Sequence, residues 1–65
     1  SRFSSEAVVA GPQGITRFEP LPDATEQHAL PGGSVVRITG KTRNWVQVET
    51  DDARGWMKEE ELVQL

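Results

Sequence analysis

Two tryptophans, Trp45 and Trp56, and three carboxylates, Glu19, Asp23 and Glu26, are the side chains whose types suit joint chemistry. An indole ring presents a flat apolar face on which a sugar ring or a proline can stack. Carboxylates beside such a surface attract a cationic group, such as the lysine or arginine of a peptide. That is recognition chemistry. The residues that could catalyse are isolated. His28 is the sole histidine and has no cysteine for company, which leaves a metal site without ligands. Asp51 and Asp52 are adjacent, so a strand would aim them at opposite faces and a turn would leave both in water. Glu59-Glu60-Glu61 suits the start of a short helical turn, where carboxylates complement the backbone dipole. The sequence holds no Ser/His/Asp set and no glycine-rich phosphate loop, and a fold this small leaves little room for a water-excluding pocket. The expectation is a non-enzyme with no cofactor and no metal.

The tryptophans belong to a pattern that places them. Asn44-Trp45-Val46-Gln47-Val48 and Gly55-Trp56-Met57 both alternate, and the break between them, Glu49 to Arg54, is mostly charged. Two antiparallel strands joined by a tight loop produce this pattern. Alternation also assigns faces. Val46, Val48 and Met57 point inward, and Trp45 and Trp56 share the opposite face. There they either line a groove or close the open end of a barrel.

The rest of the chain reads as what covers this hairpin. Glu6 to Ala10 is a short β-prone run, ended by Gly11-Pro12-Gln13-Gly14. Ile15 to Phe18 is a second strand, with Phe18 expected to pack under the loop that follows. In that loop, Glu19 to Glu26, Pro20 and Pro22 favour extended, polyproline-like backbone. Arg17-Phe18-Glu19-Pro20-Leu21-Pro22, if extended and exposed, could itself be a ligand for another domain. Gln27 to Leu30 returns as strand, and Pro31-Gly32-Gly33 is the sharpest turn signal. Ser34 to Thr39 is β-branched and alternating, with Val36 and Ile38 on one face. Gly40 to Asn44 reads as a hairpin loop, Glu59 to Leu62 as a 3₁₀ turn, and Val63 to Leu65 as a last strand. Five or six short strands with no long helix indicate a small all-β barrel. Residues 1–6, including Phe3, read as linker and residues 7–65 as the domain.

Composition narrows the partners. Seven Lys and Arg against ten Asp and Glu give a net charge of −3, which disfavours nucleic acid. No apolar run approaches the ~20 residues of a membrane span. Without cysteine, no disulfide supports the fold, and one apolar cluster must hold it together. The isolated domain is expected to be a monomer.

Leu30-Pro31-Gly32-Gly33-Ser34-Val35-Val36-Arg37-Ile38, then Asn44-Trp45-Val46-Gln47-Val48, then Arg54-Gly55-Trp56-Met57, then Leu62, resembles a bacterial SH3 (SH3b-like) domain. The resemblance covers about Ala7 to Leu65. It implies a five-stranded, partly open barrel with a 3₁₀ turn before the last strand. Glu19 to Glu26 would be the long RT loop, Lys41 to Asn44 the n-Src-type loop, and Asp51 to Arg54 the distal hairpin. Phe18-Glu19 departs from the small pair usual before Pro20, and the distal turn lacks glycine. The chain has no tyrosine, so the proline-rich ligands that eukaryotic SH3 domains grip with tyrosines do not carry over. The resemblance implies a binding or targeting module of a larger bacterial protein, of the kind attached to cell-wall hydrolases or tetratricopeptide-repeat membrane proteins. Its partner would be a peptide, a protein or a peptidoglycan fragment, in a periplasmic, membrane-associated or extracellular setting. Trp45, Trp56, Glu19, Asp23 and Glu26 are the candidate ligand-binding residues. A structural domain that packs on its parent protein and binds no free ligand is the alternative.

Overall fold

Alternation and turn chemistry divide the described residues into seven strands. A computed structural model describes residues 5–65. The strands are β1 (Ser5–Val9), β2 (Gln13–Arg17), β3 (Glu26–Pro31), β4 (Val35–Thr42), β5 (Trp45–Glu49), β6 (Arg54–Lys58) and β7 (Leu62–Gln64), with a 3₁₀ turn at Glu59–Glu61. All pair antiparallel in one sheet of order β3-β2-β6-β5-β4-β1-β7. The all-β architecture, with its 3₁₀ turn before the last strand, is the one expected. β2 and β3, on either side of the long loop, pair as a hairpin, and the terminal strands β1 and β7 pair with each other, so the sheet has seven segments where five or six were anticipated.

The sheet coils around Ala7, Val9, Val36, Val46, Val48 and Met57, with Leu30, Ile38 and Leu62 packed against them. Val46 lies opposite Met57, and Gln47 opposite Trp56, so the inward and outward faces of the two-tryptophan hairpin follow the alternation. The expected linker at residues 1–6 overlaps β1 at Ser5 and Glu6, which pair with Ile38 and Arg37. The chain before them, Phe3 included, lies outside the described residues.

One corner depends on glycine. The Gly33 N–H donates to the Val9 carbonyl (2.8 Å) and the Gly32 N–H to the Pro12 carbonyl (2.9 Å). This docks the turn after β3 on the turn after β1. A Cβ on Gly32 would lie 1.8 Å from the Gly11 carbonyl oxygen, and Gly33 holds φ +89. The distal turn manages without glycine. The Thr50 hydroxyl accepts from the N–H groups of Asp52 and Ala53 (3.3 Å each), while the Thr50 N–H donates to the Ala53 carbonyl (2.9 Å). That is a side-chain turn mimic of the kind serine and threonine supply.

The β4–β5 connection is tighter than the Gly40 to Asn44 loop the sequence suggests. β4 runs on to Thr42, which pairs with Trp45. A register shift between Ile38 and Gly40 absorbs one extra residue, as a β-bulge does. Only Arg43 and Asn44 remain in the turn, and Arg43 takes φ 56.

Candidate functional site

Trp45 opens β5 on the outer face of the sheet, opposite Thr42 on one side and Lys58 on the other. It is nonetheless only 7% exposed. Beside it is a surface cleft of ≈ 510 Å³. One wall is Pro20, Leu21 and Pro22 from the loop between β2 and β3. The other is Thr42, Arg43 and Asn44 from the β4–β5 turn. The volume lies in the range of small-ligand sites. The scarcity of room inside the barrel is no obstacle, because this cleft is formed by loops outside it.

The loop wall is folded, not extended. The Leu21 N–H donates to the Glu19 carbonyl (2.9 Å), a three-residue turn around Pro20. The Ala24 N–H donates to the Leu21 carbonyl (3.1 Å). These consecutive turns correct the polyproline-like expectation and remove the extended form that a displayed Pro-Leu-Pro ligand requires. Arg17 holds the loop from beneath, its Nη1 donating to the Ala24 carbonyl (2.8 Å) and its Nη2 3.7 Å from Glu26 Oε2. Phe18 is 58% exposed, so it does not pack under the loop as expected. The alternation that buries Gly14 and Thr16 does not carry on to Phe18, because the register of β2 and β3 shifts after Thr16 and the strand ends at Arg17.

The five candidate residues do not all converge. Trp45 lines the cleft. Trp56 lies on the same outer face, opposite Gln47 and Arg17, which is diagonal to Trp45 across the β5–β6 pair. It is half-buried and is not among the cleft residues. Glu19 and Asp23 are exposed on the loop that forms the wall, to either side of Pro20-Leu21-Pro22. Glu26 starts β3 and faces Arg17. Sequence reasoning missed the walls themselves. The signal was present in the proline pair and in the short polar turn before Trp45, but only the fold shows that these two segments face each other.

Other charged features lie away from the cleft. Glu49 accepts from Arg37 and is 3.6 Å from Arg54 Nε. The hydrogen bond from Arg37 and its charge hold the Glu49 carboxyl below its usual range. Glu61 Oε1 accepts from the Lys58 N–H (3.3 Å), and Oε2 from the Ile15 N–H (3.5 Å). Glu59 pairs with Lys41 at 2.9 Å. The Glu59–Glu61 cluster is therefore a capped turn with tertiary ties.

A model of the bacterial SH3 domain family matches residues 17–63. The chain belongs to the bacterial SH3 domain family. No match was found among curated proteins or among solved structures. The matched span of this SH3 domain runs from the end of β2 to β7 and includes both walls of the Trp45 cleft. Domains of this family are in general protein- or peptidoglycan-binding modules. No helix among the described residues is long and apolar enough to cross a membrane.

Proposed function

We propose that this SH3 domain is a non-catalytic binding or targeting module of a larger bacterial protein, and that a cell-wall fragment or a peptide binds at the Trp45 cleft. The cleft itself supports this most directly: a solvent-open space between a proline-bearing loop and a polar turn, with the largely buried Trp45 at its base, large enough for a few residues or a sugar unit. Trp56 would extend the apolar platform along the same face. Glu19 and Asp23 would act from the rim, and Glu26 through the Arg17 contact that fixes the loop.

Amide chemical-shift mapping with peptidoglycan fragments and short peptides tests the reading. The expected result is a set of perturbed amides centred on Leu21, Arg43 and Trp45. Perturbation confined to other surfaces, or none with either ligand class, overturns it.

One observation favours the alternative, in which the domain packs on its parent protein. Val8 lies directly opposite both Val35 and Val63, so the three form a row across β4, β1 and β7 on the outer face. Val35 and Val63 are 56% and 57% exposed. If that row is the working surface, substituting Val35 and Val63 by threonine abolishes the domain's contact with its parent and leaves the cleft titrations unchanged.

A further inference from the structure

We propose that the Trp45 cleft selects a ligand carrying a carboxylate, and that Arg43 is the residue that recognises it. This rests on reading the cleft as the binding site. Arg43 is the single formally charged residue among those that line the cleft; Pro20, Leu21, Pro22 and Trp45 are apolar and the rest neutral.

The charge of Arg43 is also uncommitted. Arg17 is engaged by Glu26, Lys41 by Glu59, and both Arg37 and Arg54 by Glu49, while Lys58, opposite Trp45, also lacks an ion pair but does not line the cleft. Among the described residues Arg43 enters no ion pair. The chain carries more acids than bases, so a cation left unpaired at the mouth of an apolar cleft stands out against its surroundings.

The backbone supplies an independent observation. Arg43 occupies the first position of a two-residue hairpin turn at φ 56. Glycine is the favoured residue where such a turn needs positive φ, and a residue with a Cβ is strained there. Strain retained beside a cleft points to a side chain kept for contact. A guanidinium offers paired N–H donors in a plane that matches a carboxylate, and such charge-assisted hydrogen bonds are short and directional.

The acidic residues of the facing loop set the orientation. Glu19 and Asp23 bracket the proline wall but do not line the cleft. They repel an anion approaching over the loop, so the carboxylate enters on the turn side, and the apolar part of the ligand lies over Leu21 and Trp45. Two sources share this chemistry, the terminal carboxylate of a wall stem peptide and an acidic side chain within a protein segment.

The test is titration of the intact chain, followed by amide shifts, with four acetylated peptides on one frame, Ala-Pro-Ala-Ala. One has a free terminal carboxylate. One has an amide terminus and glutamate in the last position. One has the amide terminus alone, and one has the amide terminus with lysine. The expected result is that a carboxylate-bearing peptide binds about tenfold or more tightly than the neutral and lysine peptides, the ratio of one charge-assisted hydrogen bond. Which of the two carboxylate peptides binds better identifies the source. In Arg43→Gln and Arg43→Gly the preference collapses to the level of the neutral peptide, while the dispersion of the spectrum is retained. Equal or tighter binding of the neutral or lysine peptide at the same amides overturns the carboxylate assignment and leaves the cleft standing. Failure of every peptide to perturb the Leu21 and Trp45 amides overturns the carboxylate assignment, and if peptidoglycan fragments leave the same amides unmoved the cleft reading falls with it. Unchanged selectivity in Arg43→Gln removes Arg43 from the role.

Discussion

Arg43 and Trp45 sit two positions apart and answer to different demands. Trp45 is 7% exposed, so truncating it to alanine removes a buried ring and costs about 3 kcal/mol or more whatever the ligand. Loss of folding in Trp45→Ala therefore says nothing about binding. Leu21 separates the two effects. It lines the cleft and is 50% exposed. Leu21→Ala is expected to change stability by no more than ~0.5 kcal/mol while weakening any ligand seated on Trp45. Urea denaturation and a titration on the same sample check both parts. Arg43 shows the converse. Glycine in its place relieves the strain at φ 56 and is expected to raise stability by ~0.5–1 kcal/mol. A domain that gains stability and loses carboxylate selectivity on the same substitution has kept that arginine for function. Gly32 marks the opposite extreme. Its missing Cβ is replaced by a backbone oxygen 1.8 Å away, which no side-chain rearrangement can clear. Gly32→Ala must separate the two turns and is expected to cost more than ~2 kcal/mol, read as a fall in the urea midpoint.

Among the elements, the β5–β6 hairpin combines the most legible sequence with a specific electrostatic device. Alternation alone placed Val46, Val48 and Met57 inward and both tryptophans outward, because a period of two leaves no other assignment once one face is apolar. The neighbouring β4–β5 connection was less legible. Gly40 reads as a strand breaker, yet a bulge absorbs the irregularity and carries the strand to Thr42; bulges depend on the partner strand, which local sequence does not reveal. The cleft was legible only in part. Trp45 is identifiable by type and phase, but Leu21, the prolines and Arg43 belong to separate loops whose approach is a tertiary fact. The cross-strand charges carry a prediction. Glu49 is engaged by Arg37 and Arg54 across β4, β5 and β6, and its folded pKa lies below the ordinary value of 4.5. In acid the unfolded chain then binds more protons than the folded one. The stabilisation is present above the unfolded value, and it fades as pH falls from about 4.5 through the lowered folded value. Glu49→Gln has no such dependence at this position. The melting temperature of the parent should fall more steeply than that of Glu49→Gln below pH 4.5, and the two curves should differ least at the lowest pH.

For the whole molecule, the question is what keeps the seven-stranded sheet of the described residues coiled on itself when its two edge strands, β3 and β7, do not pair with each other. A small chain buries only about 60% of its unfolded surface, so closure must come from few contacts. Glu61 supplies several of them. Its carbonyl accepts from the Ala10 N–H (2.9 Å), just past β1, and its carboxylate accepts from the Ile15 N–H in β2 and the Lys58 N–H at the end of β6. One residue thus ties the 3₁₀ turn to the ends or interiors of three strands. The glycine at position 14 makes room for the core beside this tie, since a Cβ there would lie 2.5 Å from the Met57 methyl and 3.1 Å from Val9, while Glu61 Oε2 would be at an ordinary 3.8 Å. Glu61→Ala keeps the backbone bond and removes the acceptor of two partly buried donors, for which about 1–2 kcal/mol is the expected loss. Glu61→Gln retains an acceptor without the charge and should fall between. The loss should appear as a lower midpoint of one cooperative urea transition with an unchanged slope, because a chain with one apolar cluster unfolds as a unit. Amide exchange should quicken first at Ala10 and Ile15. Unaltered stability in Glu61→Ala would show that the core alone closes the barrel.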